Sequence, residues 1–389
     1  MLFVRSIELK NGSDNIMPPI HLLIKPASSG CNLACKYCFY ADVSDHRSVK
    51  SYGKMTVETL EVLVKKAMER AEGSCTFAFQ GGEPTLVGLG FYEELVRLEK
   101  KYAKPGLTVQ NAIQTNGTLI TEEWAKFLGK NRFLVGLSVD GTKEVNDGLR
   151  CFRNGEGTFE RLMETAALFD QYKVEYNILT VVTKQVTKNI KEIYDFYIAH
   201  NFRYLQFIPC LDDIQDEKGS KDYSLLPEDY EVFLKDLFDK WYETLRKGEF
   251  IYIRYFENLL QKMLGYYPEA CGMMGTCTHQ YVIEADGGVY PCDFYVMDEY
   301  KIGNLLTDDF ETLEVNRTAI NFIPQSQAKD SGCMKCKWYR LCHGGCRRDR
   351  DQFDNGKMGR NYFCRAYKTF FKYSYPRLEE VAKRILSRR

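Results

Sequence analysis

Three cysteines near the start of the chain are spaced so that they could hold one metal cluster. Cys31, Cys35 and Cys38 form a C-x3-C-x2-C pattern on one short segment. A cubane [4Fe–4S] cluster has four irons, so three thiolates leave one iron without a protein ligand. Zinc is the alternative occupant, but a tetrahedral zinc site needs a fourth Cys or His, and the nearest histidine, His46, lies eight residues further on. The segment therefore predicts a cluster with an open iron that binds a substrate or cofactor.

Eight further cysteines lie in the last third of the chain and could make up two sets of four thiolates. They are Cys271, Cys277, Cys292, Cys333, Cys336, Cys342, Cys346 and Cys364. Four thiolates saturate a cubane cluster, so such clusters transfer electrons or support the fold. Zinc would also fit this spacing, but the open cluster predicted upstream favours iron. The remaining three of the fourteen cysteines, Cys75, Cys151 and Cys210, are expected to be ordinary thiols.

The composition is that of a folded protein without a broad nucleic-acid or membrane surface. Of the 389 residues, 44% are hydrophobic and 27% charged, and the 53 basic residues balance the 53 acidic ones. This balance removes the broad basic face of a nucleic-acid binder, and no apolar run approaches the roughly 18 residues of a membrane span. Charged residues interrupt the apolar start, so no export signal is predicted. We expect a cytoplasmic protein, in a compartment where disulfides are disfavoured.

Six β-branched or aromatic segments alternate with amphipathic helical segments between residues 20 and 246. The predicted strands are HLLIK from His21, CTFAF from Cys75, TVQNAI from Thr108, FLVGLSV from Phe133, VEYNILTVV from Val174 and RYLQFI from Arg203. Helices are predicted at 56–72, 91–103, 121–130, 157–172, 187–200 and 227–246. This alternation predicts an α/β fold, a partial (βα)6 TIM-like barrel with an open side. Active-site residues are then expected in the loops that follow the strands.

Candidate ligand contacts do follow these strands. The three-cysteine segment comes after the first strand, and Gly81, Gly82 and Glu83 come after the second. Ser138 ends the fourth strand, and Arg150 lies in the next loop. Alone, GGE more often forms a plain turn, and Ser138 and Arg150 would be ordinary solvated residues. These ordinary interpretations stand on the residues alone, and the family resemblance given below is what makes these residues candidates for cofactor binding.

The chain divides into four predicted parts. An N-terminal extension, 1–16, precedes the barrel domain, 17–246. A cysteine-rich domain, 247–375, follows, in which YVIEADGGVYPC predicts a β-hairpin with its turn at Asp286, Gly287 and Gly288. Bound metal clusters would hold together a region this poor in regular structure. A C-terminal helix, 376–389, is predicted to close the chain.

These segments resemble known enzymes closely. CNLACKYCFY with GGE resembles the cluster-binding loop and glycine motif of radical S-adenosylmethionine (SAM) enzymes, and the later cysteines resemble a SPASM-type domain. The chain is similar to anaerobic sulfatase-maturating enzymes over nearly all of 17–375. The segments that carry this resemblance also include FAFQGGEPTL, QTNGTLI, FLVGLSVDG, IRYFENLL, CGMMGTCTHQYVIEADGGVYPCDFYV and CKWYRLCHGGCRRDRD. Members of this family oxidise an active-site Cys or Ser of an unfolded sulfatase to Cα-formylglycine.

The resemblance implies a set of cofactors and site residues. SAM and three [4Fe–4S] clusters are implied, the open one on Cys31, Cys35 and Cys38. One closed cluster would take Cys271, Cys277, Cys292 and Cys346, and the other Cys333, Cys336, Cys342 and Cys364. The SAM contacts implied by position are Tyr40, Gly82, Ser138, Arg150 and Leu211, with Gly81 and Glu83 completing the glycine motif. Asp293, directly after Cys292, matches the family's proposed base.

The implied chemistry needs a base beside an electron acceptor. Reductive cleavage of SAM gives a 5′-deoxyadenosyl radical, which takes a hydrogen from the β-carbon of the target residue. The carbon radical then loses one electron, and the adjacent heteroatom loses one proton to a carboxylate. Asp293 next to a cluster ligand would place both functions together, although by itself it would be an ordinary exposed residue after a strand.

The expected partners are an unfolded sulfatase segment of the Cys-x-Pro-x-Arg type and an electron-donor protein such as flavodoxin or ferredoxin. Neither nucleic acid nor a membrane is expected as a partner. Two other functions stay open at this point: a radical SAM maturase that makes thioether or other cross-links in a peptide, and a non-catalytic iron–sulfur or zinc protein. The sequence does not distinguish Cys-type from Ser-type substrates.

Overall fold

A computed structural model describes residues 19–352 and 357–387 of the chain. The predicted N-terminal extension, 1–16, lies outside the described residues. None of the helices in the described ranges is both long enough and apolar enough to cross a membrane.

Six parallel strands form the curved sheet of the barrel. They are β1 Ile20–Ile24, β2 Ser74–Phe79, β3 Thr108–Thr115, β4 Leu134–Ser138, β5 Glu175–Val182 and β6 Tyr204–Pro209. Each pairs with the next along the chain, in the order 1-2-3-4-5-6. All six predicted strands are present, and the prediction of a partial parallel barrel is confirmed.

The strands of the barrel have two different faces. On β1, Ile20, Leu22 and Ile24 are buried in the main hydrophobic core under the helices, whereas His21 and Leu23 line the inner cleft. Side chains alternate between the two faces of a strand. The outer face therefore stabilises the barrel, and the inner face is left free to carry polar groups.

Fifteen α-helices connect and cover the strands within the described ranges. They are α1 Phe39–Asp45, α2 Val57–Arg70, α3 Leu89–Lys101, α4 Glu122–Lys130, α5 Lys143–Leu149, α6 Phe159–Gln171, α7 Lys184–Lys188, α8 Ile190–Ala199, α9 Pro227–Arg246, α10 Arg254–Met263, α11 Phe310–Ala319, α12 Phe322–Gln327, α13 Ser331–Met334, α14 Tyr339–Cys342 and α15 Cys364–Leu386. The Thr56 hydroxyl caps α2 by accepting from the Thr59 N–H at 3.1 Å, and Thr121 caps α4 in the same way. Such caps satisfy N–H groups that have no partner inside the helix.

The cysteine-rich region extends the barrel sheet instead of forming a separate layer. The predicted hairpin consists of β8 Tyr281–Ile283 and β9 Gly288–Tyr290. β8 lies parallel to β1, and the short strand β10 Gly303–Asn304 pairs with β9. At the opposite edge, β7 Tyr252–Ile253 pairs with β6, so the sheet has ten strands in all. A two-stranded sheet, β11 Asp351–Gln352 with β12 Lys357–Met358, stands apart.

The C-terminal helix differs from the prediction. α15 begins at Cys364, twelve residues before the predicted start at Pro376, and Pro376 lies inside it. Proline removes one helical hydrogen bond, to the carbonyl four residues earlier. That residue, Lys372, is exposed like Pro376 itself, so water can satisfy its carbonyl. The buried face of α15 packs on α9, with the rings of Phe370 and Phe238 5.7 Å apart.

Candidate functional site

The three N-terminal cysteines lie together on the loop between β1 and α1. Cys38 is the residue before α1, which begins at Phe39. Burial raises the pKa of the Cys35 thiol to about 12, and the thiols of Cys38 and Cys31 contribute to the rise. Thiols this close repel each other as thiolates, so a bound cation is needed to keep them all ionised. The loop has the donor set that an iron–sulfur cluster requires.

A buried arginine reaches this cysteine loop from the end of α5. Arg150 donates from Nε to Asp140 Oδ2 at 2.9 Å, and its Nη1 lies 3.9 Å from the Cys35 Sγ. Asp140 also accepts from the Tyr37 hydroxyl and, through Oδ1, from the Val181 N–H at 2.9 Å. The guanidinium is thus fixed beside a predicted cluster ligand.

The glycine motif after β2 has no room for side chains. A Cβ on Gly82, whose φ is +24°, would lie 2.0 Å from the Gly30 carbonyl oxygen, and one on Gly81 would lie 2.7 Å from the Lys25 side chain. The loop after β2 therefore packs closely against the residues that precede the three-cysteine segment. Any larger residue at Gly82 would force the two segments apart.

Glu83 has a positioning role within this loop. It is almost fully buried, and its carboxylate accepts from the Thr85 and Thr115 hydroxyls at 2.6 and 2.7 Å. It also accepts from the Asn116 N–H at 2.7 Å. These bonds use both carboxylate oxygens, so Glu83 joins the loop after β2 to the loop after β3 and does not point into open space.

The Asp293 carboxylate connects the cysteine-rich region to the barrel. Its Oδ2 accepts from the Tyr40 hydroxyl at 2.9 Å and from Gln80 Nε2 at 2.7 Å. Its Oδ1 faces Lys25 Nζ at 3.1 Å and, though buried, accepts no hydrogen bond from any described residue. Burial raises the pKa of Tyr40, with Asp293 adding to the rise, so the phenol remains a donor.

Lys25 and Gln80 were not among the residues predicted for the site. Lys25 follows β1 and Gln80 follows β2, and a lysine or glutamine after a strand usually lies in solvent. Lys25 is instead 3% exposed, and its ammonium also lies over the Tyr40 ring at 4.5 Å from the centroid. The sequence signal that could have identified Lys25 as a site residue was its position at the carboxyl end of β1.

The eight C-terminal cysteines separate into two groups of four around two cavities. The thiols of Cys271, Cys277, Cys292 and Cys346 line a cleft of about 490 Å³ that runs into the barrel and is also lined by Tyr40, Gln80 and Asp293. The other four, Cys333, Cys336, Cys342 and Cys364, line a smaller cavity between α14 and α15. We call the first group the inner set and the second the outer set.

The electrostatics follow the same grouping. Burial raises the pKa of Cys292, and the other three thiols of the inner set contribute to the rise. Burial raises the pKa of Cys342 to about 11, and here the contributing thiols are Cys364 and Cys333 of the outer set. Each cysteine thus acts on members of its own set.

The grouping of these thiols around two cavities provides one set of four donors for each of two cubane clusters. Across residues 19–352 and 357–387, no three Cys, His, Asp or Glu side chains converge closely enough to hold one metal ion. In a cubane each thiolate binds a different iron, so the sulfurs stand further apart than the ligands of one zinc ion do. Thiols around a cavity are the donor set that a cubane needs.

Two predicted SAM contacts lie apart from the inner cleft. Ser138 is half-buried at the end of β4. Leu211 follows β6 and lines another cavity, together with Asp212, Asp213 and Arg348. The structure therefore brings Tyr40 and Asp293 to one cleft, while Arg150 and the glycine motif surround the three-cysteine loop.

Two families of known proteins match the chain. The Radical SAM superfamily matches residues 26–197, and an iron–sulfur cluster-binding domain, SPASM, matches residues 271–337. A cysteine-type anaerobic sulfatase-maturating enzyme of Clostridium perfringens is 51% identical, over 95% of this chain and 100% of that protein. The serine-type enzyme of Bacteroides thetaiotaomicron is 31% identical, over 95% of this chain and 92% of that protein.

Solved structures give the same result. The structure of native anSMEcpe with bound AdoMet and Cp18Cys peptide superposes with a TM-score of 0.91 at 49% identity, covering 95% of this chain and 100% of that one. Streptococcus suis SuiB bound to precursor peptide SuiA superposes with a TM-score of 0.62 at 20% identity, covering 90% of this chain and 76% of that one. At that identity the second likeness concerns the fold alone.

Proposed function

The chain belongs to the anaerobic sulfatase-maturating enzymes, which are radical SAM enzymes with [4Fe–4S] clusters, and we propose that it is a cysteine-type member. It would oxidise an active-site cysteine of an unfolded sulfatase to Cα-formylglycine. The support is that the 51% identical relative is of the cysteine type, whereas the serine-type relative is 31% identical. Our alternative, a maturase that makes peptide cross-links, is not favoured by these relatives.

One observation carries the proposed chemistry: the 2.9 Å hydrogen bond from Tyr40 to Asp293. Tyr40 lies two residues after Cys38, and Asp293 directly follows Cys292. A single contact therefore joins the predicted open cluster to the predicted inner cluster. Substrate oxidation needs a hydrogen-atom acceptor, a base and an electron acceptor. The candidates are the radical from SAM at the open cluster, Asp293 and the inner cluster, and their residues lie within a few positions of this contact.

We assign the cluster ligands and cofactor contacts on the same basis. Cys31, Cys35 and Cys38 would hold the open cluster, and the inner and outer sets would each hold a closed one. SAM bound at the open iron supplies the radical that removes hydrogen from the substrate β-carbon. The contacts assigned to SAM are those predicted above, namely Tyr40, Gly82, Ser138, Arg150 and Leu211, and Gly81 and Glu83 belong to the cofactor site by shaping the glycine motif.

The side chains around Asp293 hold its carboxylate ready as a base. Tyr40 and Gln80 both donate to Oδ2, which fixes the plane of the carboxylate. Oδ1 is buried, faces Lys25 Nζ at 3.1 Å and accepts no hydrogen bond from the described residues, and we assign this carboxylate as the group that takes the thiol proton of the substrate. The Lys25 ammonium, at 3.1 Å from Oδ1, offsets the charge of this carboxylate and holds it in place.

The reductant is proposed to be a flavodoxin or ferredoxin, and the reaction is proposed to take place in the cytoplasm. The target must be reached before the sulfatase folds, because a folded active site could not enter the cleft. The thiolates proposed here as ligands would also be kept reduced in that compartment.

The test is an anaerobic assay with two matched peptides, one with Cys-x-Pro-x-Arg and one with Ser in place of Cys. Reconstituted enzyme, SAM and dithionite are incubated with each peptide, and mass spectrometry follows the aldehyde. We expect the Cys peptide to be converted at least about tenfold faster, since the thiol ionises more readily than the hydroxyl. Equal or faster conversion of the Ser peptide would contradict the cysteine-type assignment, and 5′-deoxyadenosine without any aldehyde would contradict sulfatase maturation itself.

A further inference from the structure

One part of the chain carries a strong local excess of positive charge, although the whole chain is neutral. Residues 331–348 and 357–378 contain eleven Lys and Arg residues and no Asp or Glu. Because total Lys plus Arg equals total Asp plus Glu, the rest of the chain carries the matching negative excess. A segregation of this kind creates a directed field at the protein surface.

Much of this charge is exposed on one face. We define the basic face as the exposed residues Lys335, Lys337, Arg340, Arg360, Lys368 and Lys372. Arg360 is paired with Asp330 at 3.0 Å, whereas the other five form no ion pair with any described residue. Exposed cations without an ion pair to any described residue are available to an external acidic surface.

The basic face surrounds the outer set of cysteines. Lys335 and Lys337 flank Cys336 in the sequence, and Arg360 and Lys368 line the cavity that the four thiols share. The Trp338 ring lies 6.0 Å from the Phe371 ring, which packs the segment before α14 against α15. Arg340 and Lys372 therefore lie on adjoining elements at the rim of this cavity.

The outer set is also connected to the inner cleft by a very short piece of chain. Cys342 belongs to the outer set and Cys346 to the inner set. Between them, Gly344 lines the outer cavity and Gly345 lines the inner cleft. Four virtual bonds of 3.8 Å separate the two Cα atoms by at most about 15 Å. The outer set is thus next to the inner cleft along the chain and next to the exposed basic face.

We propose that the basic face docks an acidic one-electron carrier, a flavin or iron–sulfur protein, which takes up the electron that substrate oxidation releases. This inference rests on the proposed function. When the substrate carbon radical becomes a thioaldehyde, the C–S single bond becomes double, the thiol proton passes to Asp293 and one electron leaves. The inner and outer sets would each hold a cluster that can accept and pass on this electron, and the oxidised carrier would be reduced by one electron.

The charge pattern favours a carrier over other anionic partners. A nucleic acid or a lipid headgroup would bind any basic patch, but neither requires that the cations surround a set of four thiols. A negative carrier, by contrast, gains both attraction and the right orientation from cations placed around the electron exit. The field would speed association and would weaken as salt is added.

The test measures electron transfer from the enzyme without peptide or turnover. Enzyme with all clusters loaded is reduced, freed of reductant and mixed in a stopped-flow instrument with oxidised flavodoxin, whose semiquinone absorbance is followed. In R340E/K372E we expect the second-order rate constant to fall at least about tenfold, with a weaker dependence on salt. The charge-preserving variant R340K/K372R should keep the wild-type rate.

The matched control is K130E/K188E, which reverses two exposed lysines on the barrel helices. It should transfer electrons at the wild-type rate, and iron content and circular dichroism should show that every variant is loaded and folded. Cross-linking of flavodoxin carboxylates should also occur at Lys335, Lys337 or Lys372.

A wild-type rate in R340E/K372E, or an equal fall in the control, would overturn the proposal. A loss of RNA binding without any change in electron transfer would also overturn it. Aldehyde formation with dithionite is measured separately, so failure of the docking proposal and failure of the proposed function are distinguishable.

Discussion

Replacing Asp293 with asparagine should separate SAM cleavage from product formation. The carboxylate holds Tyr40 and Gln80 through Oδ2 and leaves Oδ1 without a hydrogen bond. An amide whose oxygen takes the place of Oδ2 can accept from both Tyr40 and Gln80, but it cannot take up the substrate proton. Loss of a general base costs about 10²- to 10⁴-fold in rate, which corresponds to about 2.7–5.5 kcal/mol in the activation free energy.

The assay compares two products in the same anaerobic reaction. For D293N we expect aldehyde formation to fall by that factor while 5′-deoxyadenosine still accumulates, because the groups around the three-cysteine loop are untouched. Asp298→Asn is the matched control, since Asp298 accepts from the Ser48 N–H at 2.8 Å and contacts nothing in the cleft. Aldehyde formation by D293N within about threefold of wild type would refute Asp293 as the base, because a misplaced base alone costs more than that.

Three further changes test the structural parts of the site. Gly82→Ala should abolish SAM cleavage and lower the melting temperature, because its Cβ would lie 2.0 Å from the Gly30 oxygen; normal activity would show that the loop tolerates the displacement. Lys25→Met should lower the free energy of unfolding by about 3–5 kcal/mol, since it leaves a buried carboxylate unpaired; Lys50→Met, which breaks an exposed ion pair, should cost under about 1 kcal/mol in the same denaturant titration. Cys364→Ala should reduce bound iron from about twelve to about eight atoms per chain, and an unchanged iron content would exclude Cys364 as a ligand.

The barrel could be predicted from the sequence because its strands and helices have distinct periodicities. The predicted strand VEYNILTVV corresponds to β5 Glu175–Val182, and the helix predicted at 121–130 corresponds to α4 Glu122–Lys130, which Thr121 caps. The strands β7 and β10, of two residues each, could not be foreseen, because a pair of residues has no period. The start of α15 was misplaced because proline is more often found in the first turn of a helix than inside it.

Site residues whose spacing in the sequence is fixed by their chemistry could be predicted. Residues that reach the site only through the tertiary fold were missed. The cysteines could be predicted as ligands because cluster ligands recur at short intervals in the sequence. Lys25 and Gln80 have no such signature, and their importance depends on a carboxylate more than two hundred residues away in the sequence. Only the pairing of β8 with β1 brings that carboxylate to the barrel mouth.

The same pairing governs the order in which the protein can be completed. The partner of β1, Tyr281–Ile283, is made about 260 residues after β1 itself. Until then one edge of β1 has unpaired backbone groups, and Arg47 lacks Glu284, its buried carboxylate partner at 2.6 Å. Such long-range contacts slow folding because the loop must close before they form. The nascent barrel therefore stays open along its first strand, and its cleft stays incomplete, until β8 and the carboxylate that follows it have been synthesised.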